Sequence, residues 1–173
     1  MEDPAPEVRR VALGAALRVG ILDTNRLVAA LGDDAAAVRH RAVELVARVP
    51  YTEELAVRVI EALADDPLRE VAAFVLGELP LAGAVKDRAV AALGAQATGD
   101  EDSLARESAV AALGALGAGL DHILAATRDV ATVRRRAVLA LAPFDGPAVD
   151  EALERATEDR DWQVRQAAED LLE

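Results

Sequence analysis

One pair of side chains in this chain has the types and the spacing for acid–base chemistry. His40 and Glu44 lie four residues apart, so on a helix they stand one turn apart on the same face. Such a pair could supply a general base and acid, or two ligands of a metal ion. Two ligands are too few for a metal site, and Glu70 is the best candidate for a third. We favour a solvated surface pair and predict no metal and no cofactor.

Composition excludes several other kinds of chemistry. The chain has no cysteine, so thiolate catalysis and zinc–thiolate sites are excluded. Its only serines are Ser103 and Ser108, and neither histidine falls near them in the repeat register described below. The net charge of −12 disfavours nucleic acid and permits a basic partner. No segment is long and apolar enough for a membrane span or a secretory signal, so we expect a cytoplasmic protein.

Six arginines are each followed, three residues later, by an alanine, and each pair opens an apolar helical stretch. The spacings between these arginines are 30, 30, 37, 28 and 31 residues. A helical repeat near this length is typical of a stacked solenoid, in which each unit contacts its neighbours along the stack. We refer to these arginines as the ladder arginines: Arg9, Arg39, Arg69, Arg106, Arg134 and Arg165.

The apolar periodicity assigns two kinds of helix to each repeat. The helices that begin near the ladder arginines, here called B helices, carry apolar residues one before and three, six, seven and ten after the arginine. Shorter apolar-periodic segments between them, here called A helices, run from about Thr24–Leu31 to Pro147–Ala156. We predict an all-α fold, a right-handed superhelical α-solenoid with about eleven helices, forming a single domain over residues 1–173.

Residues one, five and nine after each ladder arginine share a second helical face that avoids the apolar stripe. We call it the B-helix face, and in a stack of this kind it is expected to line the concave surface. Phe74 stands out because the other repeats have Gly, Glu, Ala, Leu or Asp at its position. An exposed aromatic residue is a candidate binding anchor; the alternative is that it packs over its neighbours. The candidate binding residues are His40, Arg41, Glu44, Glu70, Phe74, Glu78, Glu107 and Arg135.

The repeated pattern Asp–x–x–Val–Arg–x–x–Ala–x–x–Ala–Leu–Gly resembles the HEAT repeat, in the short form found in phycobilisome-lyase-type HEAT-like proteins. The best matching segments are Ala105–Gly117 (ARESAVAALGALG) and Val133–Ala142 (VRRRAVLALA). The resemblance covers nearly the whole chain. It implies an interaction scaffold, although the fold also hosts bilin lyases and alkylpurine glycosylases. We find no active-site motif of the glycosylases.

The resemblance also implies a role for the ladder arginines, because in the family an acid and a base at these positions bond between adjacent repeats. A guanidinium can bridge a carboxylate and helix-end carbonyls with several donors. The alternative is a column of arginines that is offered to an anionic ligand.

These observations lead to one functional expectation and one rival. We expect a non-catalytic scaffold that holds a protein or peptide, which is basic where it meets the acidic centre of the B-helix face. The rival is a small enzyme or a lyase- or cyclase-like protein, with a small-molecule pocket on the same face in which His40 acts with Glu44 or Glu70 beside Phe74. We favour the hypothesis of a non-catalytic scaffold.

The two ends of the stack differ in polarity. The last B helix is polar on its outward side, as a terminal cap should be. The first B helix has no A helix ahead of it and carries the bulky Leu13 and Leu17 where several later repeats have smaller residues. We therefore expect a partly open apolar edge at the N-terminal end, built from these leucines. Such an edge would pair with a second copy or dock a partner.

Overall fold

The structure, a computed structural model, describes residues 3–172. These residues contain eleven α-helices and no strand, which confirms the predicted all-α, solenoid-like fold. The six B helices are α1 (Pro6–Arg18), α3 (Ala36–Val46), α5 (Arg69–Glu78), α7 (Ser103–Leu116), α9 (Ala131–Ala140) and α11 (Trp162–Leu172). The five A helices are α2 (Thr24–Leu31), α4 (Glu53–Ala62), α6 (Gly83–Gly99), α8 (Leu120–Ala126) and α10 (Pro147–Thr157).

The chain divides into two compact units, Met1–Val85 and Lys86–Glu173, here called unit 1 and unit 2. Unit 1 contains α1 to α5, and unit 2 begins within α6. The expectation of one repeat domain over residues 1–173 stays a prediction.

Both units are built on the same packing scheme. Within a unit, consecutive B helices pack against each other: α1 with α3 and α3 with α5 in unit 1, and α7 with α9 and α9 with α11 in unit 2. Four B helices also pack against the A helix that precedes them: α3 against α2, α5 against α4, α9 against α8, and α11 against α10. Short connections make these consecutive helices antiparallel neighbours. The apolar stripe predicted from the sequence therefore packs against both a neighbouring B helix and an A helix. Its residues form the core of each unit.

The core combines leucine layers with alanine contacts. The side chains of Leu27, Leu55 and Leu76 in unit 1 and of Leu93 and Leu113 in unit 2 are almost fully buried. The alanine three residues after the ladder arginine has no exposed surface in α3, α5, α7, α9 and α11. Small side chains at these positions allow the helix axes to approach closely. The core thus depends more on the close approach of neighbouring helices than on bulky side chains.

The N-terminal edge exposes apolar side chains as predicted, but these are not the leucines that were predicted to form it. Leu13 is fully buried and Leu17 is half-buried, so that part of the prediction is wrong. Leu13 lies four residues after its ladder arginine, on the side of α1 that packs against α3. The exposed apolar side chains at this end are instead Val8, Val11, Val19 and Ile21.

One local element was not anticipated from the sequence. A turn of 3-10 helix, Asp66–Leu68, precedes α5, and Pro67 lies within it. Proline lacks an amide donor and has a fixed φ, so it suits the first turn of a helix. Within residues 3–172 no helix combines the length and the apolar character needed to cross a bilayer.

Gly114 marks a very close contact between α7 and α9. A Cβ atom at this position would lie 2.7 Å from the Cβ and 2.8 Å from the Cα of Ala140. Real Cβ atoms do not approach so closely, and the obstacle includes backbone, which cannot rotate away. The two helices can therefore pack as they do only with glycine here.

We expect Gly114→Ala to lower the free energy of unfolding by about 1–3 kcal/mol, because overpacking would push α7 away from α9. Gly99→Ala is the matched control: it lies at the end of α6, and its added Cβ would meet nothing within 4 Å. Urea denaturation of the three proteins measures the effect. Equal stability of the two variants would contradict this account of the contact.

Candidate functional site

The ladder arginines are held by carboxylates of the following repeat. In unit 1, Arg9 donates from Nε and Nη2 to Asp33 at 2.8 Å for both bonds, and Arg39 donates to Asp65 at 2.8 and 2.7 Å. In unit 2, Arg106 donates both nitrogens to Asp129 at 2.7 Å. Such two-pronged bonds between guanidinium and carboxylate fix orientation as well as distance.

The third arm of each guanidinium binds the loop that leads into its own B helix. Arg106 Nη1 donates to the carbonyl of Asp100 at 2.9 Å, and Arg134 Nη1 to the carbonyl of Asp129 at 2.8 Å. The aspartate also receives backbone bonds, as when Ala35 N donates to Asp33 at 2.9 Å. One arginine thus joins its own entry loop to the entry loop of the next repeat.

The two remaining ladder arginines also have acceptors close to the start of their own helices. Arg69 Nη1 lies 3.0 Å from a carboxylate oxygen of Asp66 in the 3-10 turn. Arg165 in the last B helix donates to the carbonyl of Asp159 at 2.7 Å. All six guanidiniums therefore have protein acceptors, which speaks against the alternative that they form a column offered to an anionic ligand.

The ladder shifts the ionisation of its members. The hydrogen bond from Arg134 holds the pKa of Asp159 below its ordinary value, against an opposing effect of burial. The bond from Arg106 does the same for the pKa of Asp129, and that from Arg9 for the pKa of Asp33. In return, the bond to Asp159 raises the pKa of Arg134. These three pairs are charged at neutral pH, and folding favours that state.

Four of the six candidate binding residues of unit 1 line one groove between the B helices. This groove, here called the Phe74 groove, has a volume of about 660 Å³. Four of the predicted residues line it: Arg41, Glu44, Phe74 and Glu78. Two other predicted residues, His40 and Glu70, do not. The remaining lining residues are Leu17, Leu45, Ala47, Arg48, Val71 and Val75.

Phe74 has 65% of its surface exposed, in a chain whose aromatic content is 2%. Val71 and Val75 flank it on α5, while Leu17 and Leu45 line the groove from α1 and α3. These side chains form an apolar wall that is reached from solvent, with the phenyl ring as its largest exposed part. An exposed aromatic ring beside an apolar wall is typical of a binding anchor.

Charged groups surround this apolar wall. Arg41 Nη1 donates to Glu44 at 2.8 Å, and His40 Nδ1 lies 3.6 Å from the other carboxylate oxygen of Glu44. Arg48 and Glu78 line the groove with no hydrogen bond or ion pair to any described residue. The rim therefore presents one free positive and one free negative side chain.

Gly14 permits this arrangement of arginines. A Cβ atom at Gly14 would lie 3.1 Å from Arg41 Nη2 and 3.7 Å from Arg18 Nη1. The missing side chain leaves room for the Arg41 guanidinium to lie over α1, which buries the glycine. The sequence alone does not predict a role for this glycine, because it does not show that the Arg41 side chain lies over it.

The predicted residues of unit 2 lie apart from any comparable groove. Glu107 accepts from Arg136 at 3.2 and 3.3 Å, while Arg135 is exposed and has no partner within residues 3–172. A shallow apolar hollow of about 450 Å³ lies on the same face, between α7 and α9. Its lining residues are Ala111, Gly114, Ala115, Arg136, Leu139, Ala140, Ala142 and Pro143.

Six groove residues were missing from the predicted set, and two of them, Arg48 and Leu17, show why. Arg48 lies nine residues after its ladder arginine, on the predicted face, so the register alone could have included it. Leu17 lies eight residues after its ladder arginine, outside the predicted B-helix face. The sequence places it at the N-terminal edge and does not indicate that it lines a groove. Within residues 3–172, no group of three or more His, Cys, Asp or Glu side chains is placed to hold a metal ion.

Comparison with known proteins gives little to add to this geometry. No family model and no curated protein matches the chain. Among solved structures, the chain is similar to the X-ray structure of YibA from Escherichia coli, with 16% identity and a TM-score of 0.47. That match covers 99% of this chain and 76% of the other.

We expect Arg134→Met to lower the free energy of unfolding by about 2 kcal/mol, because Asp159 would lose a two-pronged, largely buried partner. Arg135→Met is the matched control, since the adjacent arginine is exposed and unpaired in the described residues. Thermal and urea unfolding of both variants measure the difference. Similar losses in the two proteins would mean that the ladder does not stabilise the fold.

The same pair predicts a specific dependence on pH. Because the pKa of Asp159 is lowered in the folded state, its stabilisation is complete above the ordinary value of 3.8 and is lost as pH falls through the lower folded pKa. The stability difference between wild type and Arg134→Met should therefore be constant from neutral pH down to about pH 5 and shrink below about pH 4. Urea titrations at each pH test this, and a difference that grows on acidification would contradict it.

Proposed function

We propose that this chain is a HEAT-like binding scaffold that holds a peptide segment of a partner protein in the Phe74 groove. Membership of the HEAT-like repeat proteins is part of this proposal. Its support is the alternation of A and B helices and the arginine–aspartate ladder between consecutive repeats.

The observation that carries the proposal is the convergence of Arg41, Glu44, Phe74 and Glu78 on one open groove. A mostly exposed phenyl ring loses more water-accessible apolar area on binding than any neighbouring side chain can. Aromatic side chains of this kind tend to contribute a large share of the free energy of association. The charged rim would then set the orientation of the bound segment.

The chemistry of the rim describes the segment that would fit. An apolar side chain would pack on Phe74 between Leu17 and Val71, and a basic side chain would pair with Glu78. Glu70, exposed in the first turn of the same helix, extends the negative charge along α5. Arg48 would pair with an acidic group of the segment. The expected ligand is therefore an apolar residue flanked by charges of both signs, with basic residues on the α5 side.

The enzyme or lyase-like alternative has no observation in its favour among the described residues. His40 lies beside Glu44 but does not line the groove.

We expect peptides selected from a random display library on the wild-type protein to bind Phe74→Ala about tenfold to a hundredfold more weakly. Leu139→Ala is the matched control, because Leu139 is the exposed apolar residue at the same repeat position in α9. Titration calorimetry with the selected peptides measures the three affinities. Circular dichroism should show unchanged folding, since the phenyl ring is exposed.

Two results would overturn the proposal. One is equal affinity of the selected peptides for wild type and Phe74→Ala. The other is failure of the library to yield any binder while a small molecule co-purifies with the protein, which would favour the enzyme alternative.

A further inference from the structure

Helix α1 presents an uncovered apolar stripe on the side away from α3. Val8, Val11 and Val19 have 50%, 56% and 68% of their surface exposed, and Ala12 and Ala15 between them are half-buried. At helical spacing, these five residues fall within about 100° of the helix circumference. Ile21, 54% exposed, follows directly. No element of the described residues covers this stripe.

The other B helices show what kind of element fits the stripe. The residue before the ladder arginine is at most 2% exposed in every later repeat: Val38, Leu68, Ala105, Val133 and Val164. In those repeats an A helix packs antiparallel against this side, as α2 does on α3 and α10 on α11. The exposed side of α1 therefore has the residue pattern of a surface that takes an antiparallel amphipathic helix.

The charges beside the stripe make α1 complementary to itself. Glu7 and Arg18 lie on the same flank of the stripe, at opposite ends of the helix. When two identical helices pair antiparallel about a twofold axis, the same flank of each faces the other. Glu7 of one copy then lies opposite Arg18 of the other, and the pair occurs twice. At present Glu7 accepts from Arg10 at 3.0 Å in an exposed pair, and Arg18 has no partner in the described chain.

The C-terminal edge of a second copy does not match the stripe. Its B helix, α11, exposes Gln166, Glu169 and Asp170. Glu169 lies four residues after the ladder arginine, where Leu13, Val43, Ala73, Val110 and Val138 are all buried. Helix α11 also exposes Trp162 and Leu172, but Glu169 and Asp170 lie among its exposed side chains, so a head-to-tail contact would place carboxylates against the valines.

We propose that two copies of this chain form an isologous dimer through α1, with the two α1 helices antiparallel and their valine stripes in contact. The contact buries the surface that an A helix covers in every other repeat. It adds two intermolecular Glu7–Arg18 pairs at its rim. The dimer surface and the Phe74 groove involve different side chains of unit 1, so this proposal stands apart from the proposed binding function.

Sedimentation velocity and light scattering of the chain Met1–Glu173, from low micromolar to hundreds of micromolar, test the dimer. Wild type should pass from monomer to dimer over this range. Val11→Glu should weaken dimerisation by more than about tenfold, since it places two carboxylates in the apolar contact. Leu104→Glu is the matched control: it changes an exposed apolar residue in the first turn of α7 and should leave dimerisation unchanged.

A charge exchange tests the antiparallel arrangement itself. Arg18→Glu alone should weaken the dimer by about tenfold, because both rim pairs become repulsive. Adding Glu7→Arg should restore it, since the two pairs then form with reversed sign. A wild type that stays monomeric throughout, or a dimer that tolerates Val11→Glu as well as Leu104→Glu, would overturn the proposal. Failure of the double variant to recover would overturn the antiparallel pairing.

Discussion

The arginine–aspartate ladder is the constraint on which the repeat structure depends. A core made largely of alanine, valine and leucine holds helices close together but does little to fix how far one slides along another. The ladder supplies that information, because a guanidinium that binds one carboxylate through two nitrogens and a carbonyl through the third tolerates little displacement. Asp33, Asp129 and Asp159 also accept a backbone amide of their own loop, so in these repeats the start of one B helix is fixed to the start of the next.

This arrangement separates structural from exposed charges within each B helix. The ladder arginine uses its donors at the helix start, so it does not contribute charge to the B-helix face. The following positions are then free to differ between repeats without loosening the stack. In unit 1 they carry Arg41, Arg48 and Glu78 around Phe74, whereas in unit 2 they carry Leu139 and Pro143. The same backbone scheme thus supports a charged groove in one unit and an apolar hollow in the other.

The sequence predicted the features that depend on periodicity alone. The span of α2 was predicted as Thr24–Leu31, as it is found, and the other A helices differ by only a few residues. The all-α fold follows from the same pattern, because apolar residues recur at helical spacing and β-branched alternation is absent. Helix capping by Asp23 and Thr52 fixes the starts of α2 and α4.

Features that depend on contacts between side chains of different helices could not be predicted from periodicity. That Leu13 is buried depends on which side of α1 meets α3, and the spacing of leucines does not contain that direction. The Arg41 guanidinium lies over Gly14 because the gap is there, and two residues 27 positions apart give no local signal of it. Arg48 lies on the predicted face, but only the structure shows that it has no hydrogen bond or ion pair to any described residue. The groove was therefore predicted in outline and its membership only in part.

Comparison of equivalent positions across repeats shows how each end of the fold differs from its middle. Four residues after the ladder arginine, every B helix that has a following B helix carries a buried apolar side chain, while α11 carries Glu169. Glu169 is exposed in the described chain, and burying its carboxylate without a partner would be costly. At the position before the arginine, α1 keeps a valine as the covered helices do. Residue type thus follows burial at these positions in the described chain, except in α1, which keeps the valine of a covered helix on a surface that no described element covers.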